Sequence, residues 1–204
     1  MCPRSAEQFE HLKGERRREL LKAARKVFAR KGLAAAKIGD VAAQAGISYG
    51  LVYHYFPEKE SLFAAVVEES VAGWETLVAT AREQPGSPWD RLSYLCSQMI
   101  SGVQEEPDYV LVMVRAFTED AAPPPVRASL ERYRTQIYEQ LTAMIEEGQR
   151  AGEVAPGTPS DLARVLMAVI QGLAINRVTS AGDPAPSLDV VLRLLRGAAP
   201  RAAQ

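Results

Sequence analysis

The chain has 204 residues, of which 47% are hydrophobic and 24% charged, and its formal net charge is −1. These values are typical of a folded globular protein of one or two domains, and they exclude a disordered or low-complexity chain. No apolar run approaches the length of a membrane span, and the first residues lack the apolar stretch of a signal peptide. We therefore expect a cytoplasmic protein without a membrane partner.

Cysteine and histidine are scarce in this chain. Two of each, far apart in the sequence, are too few for a metal site or a disulfide framework. We therefore expect no metal and no cofactor. Cys96 is most simply explained as a small buried apolar side chain, and a redox sensor is the alternative.

Positive charge is concentrated at the N-terminal end. Residues 1–60 hold 12 Lys and Arg against 7 Asp and Glu, whereas the remaining residues hold 12 against 18. Such a polarity is expected when one end of a protein meets phosphate groups and the other end does not. The charge distribution therefore indicates nucleic-acid binding by the first 60 residues.

The spacing of apolar residues predicts helices throughout the chain and no strand. The first helix is expected over 15–31, with Gly32 ending it and a frayed helical arm before it. The segment 109–117 is apolar almost all round, so its helix is expected to be central in the fold. The helices predicted after residue 56 cover 57–82, 89–103, 107–117, 126–151, 161–178 and 188–196.

Two short helices around a glycine turn are predicted between Ile38 and Phe56. Apolar residues at helical spacing end at Ala45, and Gly46 follows where a helix end favours a left-handed residue. Ser48 can cap the next helix through its hydroxyl, and apolar residues three and four apart follow it. This pattern is typical of a helix-turn-helix, whose second helix reads DNA.

The same turn also matches an unrelated catalytic motif. Residues 46–50 satisfy G-x-S-x-G, the nucleophile elbow of α/β-hydrolases, in which Ser48 would be the nucleophile. An elbow requires a strand before the serine, and an acid and a histidine later in the chain. The preceding segment is alanine-rich, and the only later histidine is His54. A chance match is therefore favoured, with a serine hydrolase as the alternative function.

Three further elements stand at fixed spacing in this region: Ala-Gly-x-Ser at 45–48, Tyr-x-Tyr-Phe at 53–56 and Lys-Glu-x-Leu at 59–62. With them, the first quarter to third of the chain resembles the TetR family of transcriptional regulators. The resemblance implies an all-α fold in which an N-terminal helix-turn-helix domain (1–60) is joined by a long helix to a C-terminal helical domain for ligand binding and dimerisation (61–204).

The resemblance also has functional implications. It implies a homodimer that binds a palindromic operator in double-stranded DNA. When a small hydrophobic effector binds, the dimer is expected to leave the DNA. Such proteins are usually repressors. A symmetric dimer presents its two reading helices to half-sites about one helical turn apart or slightly more.

The resemblance assigns DNA contacts to individual positions. Tyr55 and Lys59 match phosphate-binding positions of the family, although a place in the core is an equal alternative for Tyr55. Lys37 stands where the family often has a threonine, so phosphate contact there is expected from its ammonium group. The expected DNA contacts are Lys37, Ser48, Tyr49, Gly50, Tyr53, His54, Tyr55 and Lys59.

A ligand pocket is expected between the central helices. Its candidate lining mixes aromatic and thioether side chains, which suits an apolar or partly aromatic effector, but most of these residues could instead be plain core. Arg115 interrupts an apolar run where an unpaired charge would be costly, so it would either receive an anionic group or pair with Glu119. The candidates are Trp74, Met99, Val103, Tyr109, Met113, Arg115, Phe117, Tyr133, Ile137 and Tyr138.

Dimerisation is expected through the helices 161–178 and 188–196, because both carry apolar residues on more than one side. The alternative is that these helices only complete the core of the bundle. The candidate interface residues are Leu162, Val165, Ala168, Val169, Gly172, Leu173, Val191 and Leu195.

Overall fold

The computed structural model describes residues 3–118, 122–180 and 186–197, and nearly all of them are helical. The only extended pairing among these residues is an isolated bridge between Val154 and Arg196. The predicted all-α class is therefore confirmed. The helices of the described ranges are α1 (Pro3–Ala35), α2 (Ile38–Ala45), α3 (Tyr49–Tyr55), α4 (Lys59–Arg82), α5 (Pro88–Glu105), α6 (Asp108–Thr118), α7 (Pro124–Arg150), α8 (Pro159–Thr179) and α9 (Leu188–Arg193).

Helix α1 is longer than its sequence pattern predicts. It begins at Pro3 instead of Glu15, so the expected frayed arm belongs to the helix. Its exposed first part is supported by ion pairs one turn apart, such as that between Arg16 and Glu19 at 2.8 Å. Gly32 does interrupt the helix, with φ 73° and ψ 172°, a conformation that costs glycine little and other residues much.

The first compact unit consists of Met1–Ser70 together with Val112–Ala128. The division expected after residue 60 falls inside this unit, within the first turn of α4. The core of the unit is formed by one face of α1 and by the three helices that follow it. The core side chains of α1 include Leu20, Leu21, Ala24, Val27 and Phe28.

Helix α4 is attached to α1 by an aromatic pair and an ion pair. The ring of Phe63 meets the ring of Phe28 edge-on, with 5.1 Å between centroids. The guanidinium of the buried Arg25 donates to Glu69 at 3.0 Å. Because a buried charge is costly without a partner, this pair ties the two helices together in a defined register.

The predicted helix-turn-helix is confirmed. Gly46 closes α2 in the left-handed conformation, with φ 65° and ψ 33°, and the N–H of Ile47 donates back to the carbonyl of Ala42 at 3.1 Å. The side chain of Ser48 then caps α3 by accepting the N–H of Leu51 at 3.3 Å. The two helices enclose a small core of Ile38, Val41, Ala42 and Val52.

The second compact unit consists of Val71–Leu111 and Ser129–Gln204. Within it, α5 packs against α8 and α9. The segment after α7 is joined to the segment after α9 by backbone hydrogen bonds, since the N–H of Ala155 donates to the carbonyl of Leu195 at 2.8 Å. The buried face of α5 is Leu92, Leu95, Cys96, Met99, Ile100 and Val103.

Helix α6 is not the central helix that its apolar sequence predicts. The side chain of Arg115 is exposed, and the rings of Tyr109 and Phe117 are more than a third exposed. An exposed guanidinium is solvated, so the premise that Arg115 needs an anionic ligand is wrong. Glu119, its expected alternative partner, lies outside the described residues. The buried apolar side chains of α6 are Val112, Met113 and Ala116.

Candidate nucleic-acid interface

Helix α3 presents two tyrosines on its outer side. Val52 is completely buried against α2, while the side chains of Tyr49 and Tyr53 are 56% and 39% exposed. The two tyrosines are four residues apart, which places them one above the other on the same face of a helix. The exposed aromatic pair and the buried valine therefore define an outer and an inner face of α3.

The two tyrosines contact each other. Their rings are tilted at 60° with centroids 5.0 Å apart, and their hydroxyl oxygens are 3.2 Å apart. This hydrogen bond, with a smaller contribution from desolvation, raises the pKa of Tyr53 above its ordinary value of 10.0. The hydroxyl of Tyr53 is therefore neutral near pH 7, and the pair offers ring edges and hydroxyl groups.

The remaining expected DNA contacts on α3 differ in their surroundings. Gly50 is exposed, and a side chain added there would meet open space, so another molecule can approach the backbone closely. His54 is exposed, and its ring meets the ring of Tyr55 edge-on at 5.5 Å. Tyr55 is half-buried, which leaves both a core role and a phosphate contact open.

An acidic residue organises the corner between α1 and α2. One oxygen of Asp40 lies 2.8 Å from the ammonium of Lys31, and the other accepts the backbone N–H of Lys37 at 3.0 Å. The hydrogen bond from Lys31, followed by that from Lys37, holds the pKa of Asp40 below its ordinary value of 3.8. Asp40 thus supplies the half of a capping box in which the third helical residue accepts the N–H of the cap residue, and the side chain of Lys37 is exposed.

Lys59 has a different environment from the one its sequence position implies. Its ammonium donates to the carbonyl oxygens of Leu33 at 2.7 Å and Ala36 at 3.1 Å, and it lies 3.5 Å from that of Ala34. An ammonium group has three donors, and all three face these carbonyls. The expected phosphate contact by Lys59 would require these bonds to be given up.

The geometry around Ser48 does not match a nucleophile elbow. A helix, α2, precedes the serine where an elbow needs a strand. The hydroxyl oxygen of Ser48 accepts the N–H of Leu51, which is the role of a helix cap. The G-x-S-x-G match is therefore a by-product of the glycine turn and the cap.

The expected ligand-lining residues of the second unit are mostly core. Trp74 is buried, and its indole N–H donates to the side-chain oxygen of Gln140 at 2.9 Å. Burial raises the pKa of Tyr133, which excludes a charged phenolate near pH 7. Met99, Val103 and Ile137 are also buried, and Tyr138 is half-buried.

Cys96 is an apolar core residue of α5. It is fully buried, and desolvation raises the pKa of its thiol to about 12. The thiolate is the form that oxidants attack, and a thiol with such a pKa forms very little thiolate at neutral pH. The redox-sensor alternative for Cys96 is therefore not supported.

The expected dimer residues fall into two groups. On α8, Val165 and Ala168 are exposed, and Leu162, Val169, Gly172 and Leu173 are half-buried. In α9 and directly after it the prediction is wrong, because Val191 and Leu195 are only 2% and 1% exposed. They pack inward, and the exposed apolar side chains are their neighbours Val190 and Leu194. The inward and outward faces of α9 are thus one residue out of register with the prediction.

Two family models match this chain. The model described as bacterial regulatory proteins of the tetR family matches residues 20–66, and the C-terminal model of BetI-type transcriptional repressors matches residues 88–200, more than half of the chain. The chain belongs to the TetR family. It is therefore a ligand-responsive, DNA-binding transcriptional regulator.

Relatives of this TetR-family protein cover most of its length. The HTH-type transcriptional repressor Rv1474c of Mycobacterium tuberculosis is 27% identical over 192 residues, which is 89% of this chain and 93% of that protein. The structure of AibR in complex with isovaleryl coenzyme A and operator DNA has a TM-score of 0.69 and 16% identity, and the match covers 87% of this chain and 94% of that one.

A second solved structure has a bound small molecule. A regulator from Saccharomonospora viridis in complex with choline has a TM-score of 0.67 and 23% identity. The match covers 91% of this chain and 100% of the Saccharomonospora chain. At such low identity, the likeness to both solved structures shows a shared fold only.

Three residues of this TetR-family protein make structural contacts that the sequence analysis did not predict: Asp40, Arg17 and Gln140. Asp40 follows Lys37 by three residues, a spacing that signals a capping interaction and could have identified it. Arg17 lies over the ring of Phe56, 5.2 Å from its centroid, and no local pattern signals this contact. Gln140, the partner of Trp74, is distant in sequence and equally without a signal.

For this TetR-family protein we expect Asp40→Asn to lower the thermal midpoint near pH 7, because Lys31 loses its charged partner. The folded-state pKa lies below 3.8, so the carboxylate stabilises the fold above that pH, and the contribution is lost as the pH falls through the folded-state pKa. The difference from the wild type should therefore shrink towards pH 3, as measured by thermal unfolding from about pH 3 to about pH 7.

The matched control is Glu131→Gln, which removes one carboxylate from an exposed pair with Arg134 one turn away. Such surface pairs contribute little, so this variant should unfold close to the wild type at every pH. A difference for Asp40→Asn that does not depend on pH would contradict the charged role of Asp40.

Proposed function

We propose that the protein is a dimeric repressor that reads a two-fold related operator with α3 of each subunit and leaves the DNA when a small, mainly apolar effector binds. The observation that carries the DNA-reading part is the exposed pair of Tyr49 and Tyr53 on α3, a helix that is anchored by the buried Val52. Large exposed aromatic side chains are uncommon on a surface without a partner.

The chemistry of α3 suits the major groove. Residues near the start of a reading helix contact base edges, and Tyr49 is the first residue of α3. Tyrosine rings can pack against thymine methyl groups, and their hydroxyls can donate to or accept from base edges. Gly50 and the exposed His54 lie on the same short helix. Gly50 allows DNA to approach the backbone closely, and His54 is expected to contact a phosphate. These residues support DNA reading by α3.

The DNA prediction is tested by selection from a random-sequence duplex library. We expect a palindromic site with half-sites about 10 base pairs apart or slightly more. Tyr49→Ala should reduce the ratio of specific to non-specific affinity by about tenfold or more, since one lost base contact is worth roughly 1–3 kcal/mol.

Gln98→Ala on the exposed side of α5 serves as the control and should leave that ratio unchanged. Selection of no sequence, or an unchanged ratio for Tyr49→Ala, would contradict reading by α3.

The dimer proposal rests on the outer face of α8. By length and composition alone, α8 is the one helix among the described residues that could cross a membrane, yet only 22% of its most apolar stretch is buried. Val165, Ile175 and Val178 are each more than two-fifths exposed. A DNA-binding regulator would remove this apolar surface from water by contact with protein instead of a membrane. A second copy of α8, related by a two-fold axis, provides such a contact.

We expect the double change Val165→Glu and Val178→Glu to give monomers, because it places charges in the proposed apolar interface. Thr135→Glu, on an exposed position of α7, is the matched control and should leave the dimer intact. Light scattering at micromolar protein is the measurement. A wild type that is monomeric under these conditions would rule out the proposed interface.

The effector proposal rests on the second unit. Its interior combines Trp74, Met99, Tyr133 and Ile137, and the indole N–H of Trp74 already has a protein partner in Gln140. A ligand there would meet mainly apolar surface with few polar groups. AibR with isovaleryl coenzyme A and the Saccharomonospora regulator with choline are neighbours of this fold that carry small molecules.

A thermal-shift screen of a metabolite library tests the effector proposal, because a bound ligand raises the thermal midpoint by mass action. Compounds that raise it should also weaken the affinity for the selected DNA, since a ligand shifts the balance towards the state that it prefers. Hits that stabilise the protein without any effect on DNA affinity would contradict the release mechanism.

A further inference from the structure

The start of α4 is fastened to the end of α1 by one side chain. Lys59 is the first residue of α4, and its ammonium donates to the carbonyls of Leu33 and Ala36 and lies near that of Ala34. The last carbonyls of a helix lack partners within the helix, and a cation is favourable beside them. The ammonium of Lys59 therefore closes the C-terminal end of α1 beyond the kink at Gly32.

The corner between α1 and α2 is held from two sides. Lys59 binds its carbonyl oxygens, and Asp40 binds the ammonium of Lys31 and the N–H of Lys37. A cation on the carbonyls and an anion on the donors leave the connecting residues little freedom to move. Because α2 starts directly after this corner and carries α3 through the glycine turn, the direction of α3 depends on how the corner is held.

Lys59 is one of several residues of α4 that contact α1 in the described ranges. Phe63 packs against Phe28, and Glu69 pairs with Arg25. The three residues of α4 span about 15 Å along the helix at 1.5 Å per residue. Of these three contacts, the one at Lys59 reaches Ala36 in the connection between α1 and α2, so α4 can set the position of α2 through it.

We propose that Lys59 is a positioning residue for DNA reading, which holds the α1–α2 corner to the start of α4, and that it does not neutralise a phosphate. The inference rests on the proposed reading of DNA by α3. It differs from the family assignment of Lys59, because the ammonium is half-buried and its donors already face protein carbonyls. Lys37, whose side chain is exposed at the same corner, is the phosphate contact instead.

The contact can be tested first in the wild-type protein by reductive methylation of lysines, read out by mass spectrometry. In the free protein, Lys59 should react about tenfold or more slowly than Lys37, because two or three hydrogen bonds must open first. The selected operator duplex should slow the reaction of Lys37 and leave that of Lys59 unchanged. Equal rates in the free protein, or protection of Lys59 only when DNA is bound, would overturn the proposal.

The role in DNA reading is tested by comparing Lys59→Met with Lys37→Met in binding titrations over a range of salt concentrations. Each phosphate that a lysine neutralises contributes about 0.9 to the slope of log affinity against log salt. Lys37→Met should therefore flatten the slope by about 0.9 for each half-site. Lys59→Met should lower the affinity about tenfold at every salt concentration and leave the slope unchanged.

Two results would overturn the positioning role. A flatter slope for Lys59→Met would show a phosphate contact. Unchanged affinity at a temperature where circular dichroism shows the variant to be fully folded would show a purely structural role. If the wild type selects no duplex, the proposed function fails. Fast methylation of Lys59 in the free protein would instead contradict the hydrogen bonds between Lys59 and the α1–α2 corner. The two failures are therefore distinguishable.

Discussion

The seven-residue helix α3 is too short to be stable in water by itself, because forming the first turn of a helix is costly. It exists in this protein because α3 packs on α2 with Val52 fully buried, and because Ser48 satisfies the N–H of Leu51. The outer face of α3, which is the proposed reading surface, depends on this small core. A change that loosened it would remove the outer face of α3 along with the inner one.

The first unit separates the sources of affinity and of specificity. Its surplus of Lys and Arg attracts phosphates of any sequence, which supplies affinity that depends on salt. The proposed reading helix, α3, contains no Lys, Arg, Asp or Glu, and its exposed Tyr49 and Tyr53 are linked through their hydroxyl groups. Charged residues inside the unit have structural partners instead: Arg25 with Glu69, Lys31 with Asp40, and Lys59 with backbone carbonyls.

The second unit has an unusual distribution of apolar surface. In its interior, Cys96 is fully buried, and the indole N–H of Trp74 donates to Gln140. In contrast, α8 has an inward face that includes Leu166 and Ile170 and an outward face that includes Val165 and Val178. A helix that is apolar on two sides has surface for two interfaces, and among the described residues only the inward side of α8 is covered.

Local patterns were sufficient for much of this protein. Helix periodicity, the glycine at 46 and the serine cap at 48 each act within a few residues, so the order of helices and the helix-turn-helix could be predicted from the sequence. The chance match to a catalytic elbow could also be resolved locally, because an alanine-rich helix cannot replace the strand that an elbow requires. The family signature lies in the same short region and depends on the same local geometry.

Contacts between residues distant in the sequence were decided only by the tertiary structure. The burial of Val191 instead of Val190, and the exposure of Arg115 in an apolar run, depend on which side of a helix meets its neighbours, and periodicity cannot specify this for an element that is apolar all round. The binding of Lys59 to carbonyls 23 to 26 residues earlier has no sequence signal, because backbone carbonyls are the same at every residue. The sequence by itself determined which helices form and where α3 begins, since those are local choices of backbone conformation. Only the packed chain decided which faces are core and which charges are already paired, since those depend on what lies across the contact.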